Sequence, residues 1–599
     1  MFNPLYTLDR WDGGAFTDDF AENIAKNQSP NPRGIDFFGK TIRKARGYTL
    51  FGTESETVAG FGFYNHKTVV DSDEVMIKMV GTRIKIYDET TSAWQLAYSG
   101  SATAGGRWCF WSFNGYCYGS NGTDGFFRWR ASSWGKTEGA ILAGATTIVL
   151  EAGQGARFAA SGNGLIEGDT FAWTGVSTDT LTGVTGLTSG HADGVRVITE
   201  VDFASYTANP KGIIGAFFKN RSFVVPTTTP NIIYHSKLAD NTNPQDDIAN
   251  FTIAGSGTGD AGFVIAPDRV LVMKQYISSS NTNSLVLICA DGIAYDLSVV
   301  DAGGTTVATI VPIKVLNASP VTENMCATLE NELMLVDNFN AIRSIGYSSE
   351  TNSILRTSRV SDPIRPTLEP SLVSFATSGH MNYIDRKTFI LGKQGGASVN
   401  NFTVVKDTSP EAFAFYDHWQ FNALVQNKNN FYGLSSINAN VYKLFDGLSA
   451  DGDAIAASYP TQHINFGNPL IYKQLRFVRV SGFISSNCSL TFKVYYDTDQ
   501  TPIAVYTISG TGAVVDALGA VALGTVVIGG NTLGGGTTGV ELRRFFATLQ
   551  LPTLKNFYTC QVLIDNAEAD VDFQIDKMLL FAEPQSPDLE QFARYLENT

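Results

Sequence analysis

Residues 110–130 read FWSFNGYCYGSNGTDGFFRWR, three apolar runs parted by Asn-Gly and by Thr-Asp-Gly. Asn-Gly and Asp-Gly supply the positive φ that tight hairpin turns require, so the stretch predicts two or three antiparallel strands. The theme returns at residues 214–236 (IGAFFKNRSFVVPTTTPNIIYHS), 326–346 (CATLENELMLVDNFNAIRSIG) and 425–447 (VQNKNNFYGLSSINANVYKLFDG). Further strands are expected at residues 82–88 (TRIKIYD) and 268–274 (DRVLVMK). Meanders repeated at spacings of several tens of residues characterise a propeller, in which each sheet buries its faces against the next. The period is irregular. The expectation is an all-β chain whose residues 61–137 and 201–450 form a degenerate β-propeller of five to seven blades, with a series of β-sandwiches as the second choice.

Composition agrees. The chain has 599 residues, more than one core of roughly 250–300 residues accommodates, so several domains are expected. Hydrophobic residues reach 43% and charged residues only 17%, a balance that argues for folding over disorder. The 39 Phe, 23 Tyr and 58 Gly suit pleated strands joined by tight turns. With 57 acidic against 43 basic residues, the net charge of −14 repels a phosphate backbone and disfavours a direct grip on nucleic acid. A conduit lined with carboxylates would still let a polyanion slide past.

On either side of the meanders the pattern changes. Residues 1–60 read as an extended arm: one short helix is conceivable at residues 18–26, but Pro30, Pro32, Gly34, Gly39 and Gly47 break any continuation. Such an arm docks on its own domain or on a neighbour. Residues 138–200, rich in Gly, Thr and Ala, hold short strands at 146–150, 169–174 and 195–198 and predict a small inserted β-domain. From about residue 455 the alternation sharpens, as in LTFKVYYD at 490–497 and VDFQID at 571–576, where one face is buried and one is wet. Residues 451–585 therefore read as a jelly-roll-like β-sandwich. A short terminal helix is expected at 586–599, with Ser586 as N-cap, Pro587 at the first position and Leu589, Phe592 and Leu596 as one apolar stripe for a docking surface.

No constellation for catalysis is visible, and the chain reads as non-catalytic. The six histidines are never closer than 38 residues, so no local zinc motif exists, and neither a nucleophile elbow nor a phosphate-binding loop is found. Residues 257–262 fit GxGxxG, but a strand follows where a helix would be needed, so the stretch reads as a turn. Asp446, Asp451 and Asp453, and Asp565, Glu568, Asp570 and Asp572, read as solvated turn carboxylates in preference to a calcium site. No cofactor or metal is expected. The six cysteines lack any CxxC pair and read as free, reduced thiols; Cys109 and Cys117 could meet across a hairpin, but two buried thiols are the favoured reading. No basic segment leads into an apolar core at MFNPLYTLDRWDGG, so no secretory signal is expected. The Gly-punctuated apolar stretch at 510–536 is too interrupted to span a bilayer. It reads either as a packed hairpin or as a loop that meets a membrane through Val514, Val515, Leu518, Val521, Val526, Val527 and Ile528.

In the arm, Gln28-Ser29-Pro30, then Asp36-Phe37, Gly39-Lys40 and Ile42-Arg43-Lys44-Ala45-Arg46-Gly47-Tyr48 follow one another. The series resembles the opening of bacteriophage tail proteins that precede a propeller, although Ala45-Arg46 stands where Arg-Pro is typical. The insert is similar to a small β-module of phage structural proteins through IEGDTFAWTG at 166–175, LTGV at 181–184 and HADG at 191–194. About a third of the chain carries the likeness by motif; the rest shares only architecture. It implies a virion protein, assembled in the host cytoplasm, that forms a nozzle-like ring around the DNA channel of a double-stranded DNA phage and takes part in genome retention and ejection. The implied partners are other copies of the chain, hexameric by analogy, a tail adaptor and other tail proteins, passing double-stranded DNA without sequence-specific contacts, and a transient host membrane or surface glycan. Arg33, Arg43, Lys44 and Arg46 are then candidates for contacts between copies. Two alternatives stand beside it: a receptor- or carbohydrate-binding tail protein using aromatics such as Tyr495 and Tyr496, and a propeller glycosidase or depolymerase.

Overall fold

A computed structural model describes residues 4–19, 23–67, 74–239, 243–253, 257, 259–277, 283–302, 305–316, 318–329, 332–348, 353–376, 378–511, 514–516, 526–533, 542–551 and 555–585. Antiparallel meanders follow one another along the chain. The first blade comprises Gly62–Lys67, Glu74–Val80, Arg83–Asp88 and Ala93–Leu96; the second Cys109–Phe113, Tyr116–Ser120 and Phe126–Trp129. The third runs from Ile214–Phe218 to Gly262–Ile265, the fourth from Val270–Ile277 to Thr305–Val315, and the fifth from Cys326–Leu329 to Ser353–Arg359. The sixth spans His380–Ile384 to Glu411–Tyr416, and the seventh Phe421–Asn427, Asn430–Ser435 and Val441–Leu444. The first strands of successive blades touch in order, and that of the seventh touches that of the first. This closed circuit is a seven-bladed propeller, at the top of the expected range.

Burial on both faces explains the continuous apolar runs. In Glu74–Val80 (EVMIKMV), Val75, Ile77 and Met79 pack toward the second blade, while Met76 and Val80 pack toward the seventh. Two features break the regularity. The second blade has three strands, and where a fourth would follow, the chain leaves to build the insert. It returns at Asp202, whose backbone bridges Arg128 on the third strand. The insert has its own core around Ile148, Phe171, Trp173 and Leu181, between one sheet holding Gly162–Ile166 and Asp169–Trp173 and another holding Thr147–Val149, Gly175–Ser177 and Thr180–Thr182.

The seventh blade is completed from the arm. Tyr48–Leu50 pairs with Val441–Leu444, so the ring is latched by a strand almost four hundred residues upstream of its neighbour. Gly47 enters this latch so close to the seventh-blade exit that a Cβ would lie 1.8 Å from the Ser449 carbonyl oxygen. The rest of the arm belongs to the sandwich. Leu5–Leu8 and the hairpin Ile35–Phe38/Thr41–Lys44 both pair with Phe573–Pro584, extending a sheet that continues through Lys473–Ser485, Leu542–Gln550 and Val526–Leu533. The second layer is Ala457–Pro460, Cys560–Asn566, Ser489–Tyr496, Ala504–Ser509 and Val514–Asp516.

The sandwich and the last two blades share one core. Trp11, Ile35 and Ile42 of the arm join Val478, Phe492 and Phe573 of the sandwich and Phe389, Tyr416 and Trp419 of the propeller. The arm thus docks on its own chain. Asp18, Asp19 and residues 23–26 lie in bends, turns and irregular backbone where a short helix was conceivable, and residues 20–22 lie outside the described residues.

Candidate functional site

The charged residues singled out in the arm converge on the junction of arm, propeller and sandwich. In the hairpin Ile35–Phe38/Thr41–Lys44, residues opposite one another share a face. Ile35, Phe37, Ile42 and Lys44 point into the sandwich. Lys44 is only 1% exposed; its Nζ donates to Asn566 Oδ1 at 2.9 Å and to the Glu568 carbonyl. Burial lowers its pKa even though Glu568, Asp570 and Asp572 oppose that shift, and burial likewise raises the Asp572 carboxyl. The acidic turn at 565–572 is therefore a socket for an internal lysine: Asp570 accepts from Ser449 Oγ at 2.6 Å and Asp565 pairs with Lys493 at 2.6 Å. This corrects two expectations. Lys44 has no surface to offer a neighbouring copy, because strand alternation puts it beside Ile42, and these turn carboxylates are not simply solvated.

The opposite face of the hairpin forms one wall of a cleft of about 620 Å³ against the sixth and seventh blades. Arg43 and Arg46 line it, with Arg386, Phe431 and Phe445 across. Asp36 is buried at its base and accepts hydrogen bonds from Lys387 Nζ and the Tyr416 hydroxyl, while Arg43 stands 3.9 Å away and lies over the Phe38 ring at 4.9 Å. The Arg43 Nε is buried without a hydrogen-bond partner.

Burial alone would raise the Asp36 pKa, but Lys387 and Arg43 outweigh it, so the carboxyl titrates below its ordinary value. A carboxyl depressed in the folded state stabilises above the unfolded pKa of about 4, and that contribution is lost as pH falls through the folded value. Thermal melts between pH 6 and pH 3 are expected to show Asp36→Asn losing less stability on acidification than the unsubstituted protein; parallel curves would remove Asp36 from the acid response.

Arg33 lies at a second seam. Its backbone exchanges hydrogen bonds with Ser458 of the sandwich, Phe415 of the sixth blade pairs with the flanking residues Pro32 and Gly34, and its guanidinium meets both Asp417 oxygens at 2.7 Å. Gly34 permits this approach: φ is +57°, and a Cβ would lie 2.1 Å from the Ala456 carbonyl oxygen.

Elsewhere the expectations divide. All six cysteines are free and buried, with Cys109 and Cys117 in different core clusters on the two sides of their blade. Residues 257–262 lead into the strand Gly262–Ile265, with Asp260 accepting from the Gly257 N–H at 2.8 Å. Tyr496 is 1% exposed and stacks on Phe557 at 4.3 Å, so it offers no platform to a sugar. The alternation of its strand explains why: even-numbered residues of Ser489–Tyr496 face the core. Of the membrane-contact candidates, Val514 and Val515 lie in Val514–Asp516 and Val526, Val527 and Ile528 in Val526–Leu533, both strands with paired backbones. Leu518 and Val521 lie outside the described residues, as do Leu589, Phe592, Leu596 and the expected terminal helix.

The sequence reading missed Trp11, the arm's deepest anchor, and a buried cluster at the propeller seam. Glu54 sits 2.5 Å from Lys78 Nζ and also pairs with Lys85. The available signal was a lysine inside the apolar run EVMIKMV, which a strand buried on both faces accepts only with a partner.

No known protein family and no curated protein matches the chain. Among solved structures, the WD40 domain of SCAP from fission yeast matches at 7% identity and a TM-score of 0.25, covering 84% of this chain and 98% of that domain. The propeller assignment stands on the strand order and the closed circuit of blade contacts.

Proposed function

We propose that the chain is a non-catalytic structural component of a double-stranded DNA bacteriophage tail, a nozzle-like ring subunit that surrounds the DNA channel and takes part in genome retention and ejection. One observation carries this reading. The arm motif that resembles the opening of phage tail proteins is also the hairpin that welds propeller and sandwich into a shared core. A subunit built this way holds its domains in fixed register, as a ring under genome pressure needs. In this reading the conduit lies between copies of the chain. The net charge of −14 suits a wall past which DNA slides without sticking.

The test is light scattering of the purified protein followed by electron microscopy of negatively stained particles, alone and with the adaptor of the same tail. Rings of defined order with an opening wide enough for a duplex are the expected result. A particle that stays monomeric under both conditions, or rings without an opening, would sink the conduit.

A further inference from the structure

The outer face of the larger sandwich sheet departs from the usual pattern by carrying aromatics among its polar side chains. In a two-layer sandwich, side chains pointing away from the partner sheet meet water and are polar. Here Leu5, Phe581 and Phe477 stand side by side on three adjacent strands, and the Phe477 and Phe581 rings stack at 5.2 Å. Phe546, 48% exposed, and Phe483 continue the surface along neighbouring strands.

Arginines lie over these rings. Arg479 is 4.8 Å from the Phe477 centroid, and Arg544 lies 5.0 Å from Phe546 and 5.6 Å from Phe483. Arg43 over the 59%-exposed Phe38 repeats the arrangement on the arm hairpin. A single row, Arg43 to Gln574 to Phe483 to Arg544, joins that hairpin to the sheet. A guanidinium stacked on a ring keeps its donor edge available for a carboxylate.

We propose that this face docks the acidic surface of a second copy of the chain in a head-to-tail contact. Phenylalanine and arginine are enriched at protein interfaces; of the side chains named here Leu5, Phe38 and Phe546 are exposed, and Phe477, Phe483 and Phe581 are half-buried. Glu583 is paired with Arg476, and Asp576, bonded only to the neutral Gln574 amide, is outnumbered by Arg479, Arg544 and Lys577. The face is therefore positive on a chain of net charge −14, and the remaining surface is more acidic than that total. Two copies of the same positive face repel, so the contact is heterologous, the kind that closes into rings. At about 16 Å² per residue from strand spacing and rise, Lys473–Ser485, Phe573–Pro584, Leu542–Gln550 and Leu5–Leu8 give this face roughly 600 Å², the size of a weaker, concentration-dependent contact. The inference deepens the ring reading without depending on the phage assignment.

Sedimentation velocity across a concentration series tests it, with Phe546→Asp and Arg479→Glu/Arg544→Glu as face variants and Leu142→Glu, exposed on the insert, as control. Each face variant is expected to associate at least about tenfold more weakly, with its melting curve unchanged for Phe546→Asp. Association of the unsubstituted protein should also weaken with salt. Face variants that assemble like the unsubstituted protein overturn the inference and leave the ring reading standing. A dimer broken by the variants supports the face and removes the ring. A monomer at every concentration overturns the self-contact, as does oligothymidylate binding that both face variants abolish.

Discussion

Glu54→Gln is expected to lower the unfolding free energy by about 3–5 kcal/mol in urea titrations. Glu54 follows the latching strand and is buried where the seventh blade meets the first. Lys78 is wholly buried there: it lies 4.2 Å over the Trp94 ring, donates to the Ala439 carbonyl at 2.7 Å and forms an ion pair with Glu54 at 2.5 Å. Glutamine keeps the shape but leaves two buried ammonium groups without a counter-charge. The pH dependence gives a second reading. Burial pushes Lys78 down to about 8 despite Glu54, so between that value and the unfolded value near 10.4 the unfolded chain binds more protons. Stability from this group therefore rises with pH across that window, and the deficit of Glu54→Gln should narrow between pH 7 and pH 9 as the neutral amine ceases to need a partner. A deficit under about 1 kcal/mol would mean that water reaches the cluster.

Trp11→Ala should cost a similar amount, about 3–5 kcal/mol, by cavity formation. Trp11 is fully buried, meets Tyr459 edge-on at 5.3 Å and donates its indole N–H to the Asp576 carbonyl at 3.1 Å. Because it pins the arm between sandwich and propeller, its loss should also expose the arm to proteolysis, read by mass spectrometry as cleavage within the first fifty residues before the rest is cut. Trp11→Phe, which keeps a ring and gives up the hydrogen bond, is expected to lose about 1–2 kcal/mol. Intact arms in Trp11→Ala at the protease dose that nicks unfolded protein would show that the shared core holds without this anchor.

Much of this was readable from local pattern, because propeller and sandwich strands declare themselves within a few residues. The Asn-Gly and Asp-Gly turns at 114–115 and 124–125 fixed one blade, and the alternation of LTFKVYYD fixed which face of a sandwich strand is wet. Pairings across hundreds of residues were not readable. Nothing local in Tyr48–Leu50 says that its partner is Val441–Leu444, and nothing in TIRK distinguishes a solvated Lys44 from one socketed against Glu568. The same limit misplaced Tyr496: its neighbour Tyr495 has the same chemistry, and only the phase of the pleat separates them.

The latch by Tyr48–Leu50 also sets an order of events during synthesis. The arm is synthesised well before its partners in the seventh blade and in Phe573–Pro584. At about 5–20 residues per second the arm waits roughly 20–100 s for them. Interrupted translation products therefore carry an unlatched ring and an arm with no sheet to join. Synthesis of Val441–Leu444 and Phe573–Pro584 becomes the condition for the closed shape, and fragments that stop short of them cannot adopt it.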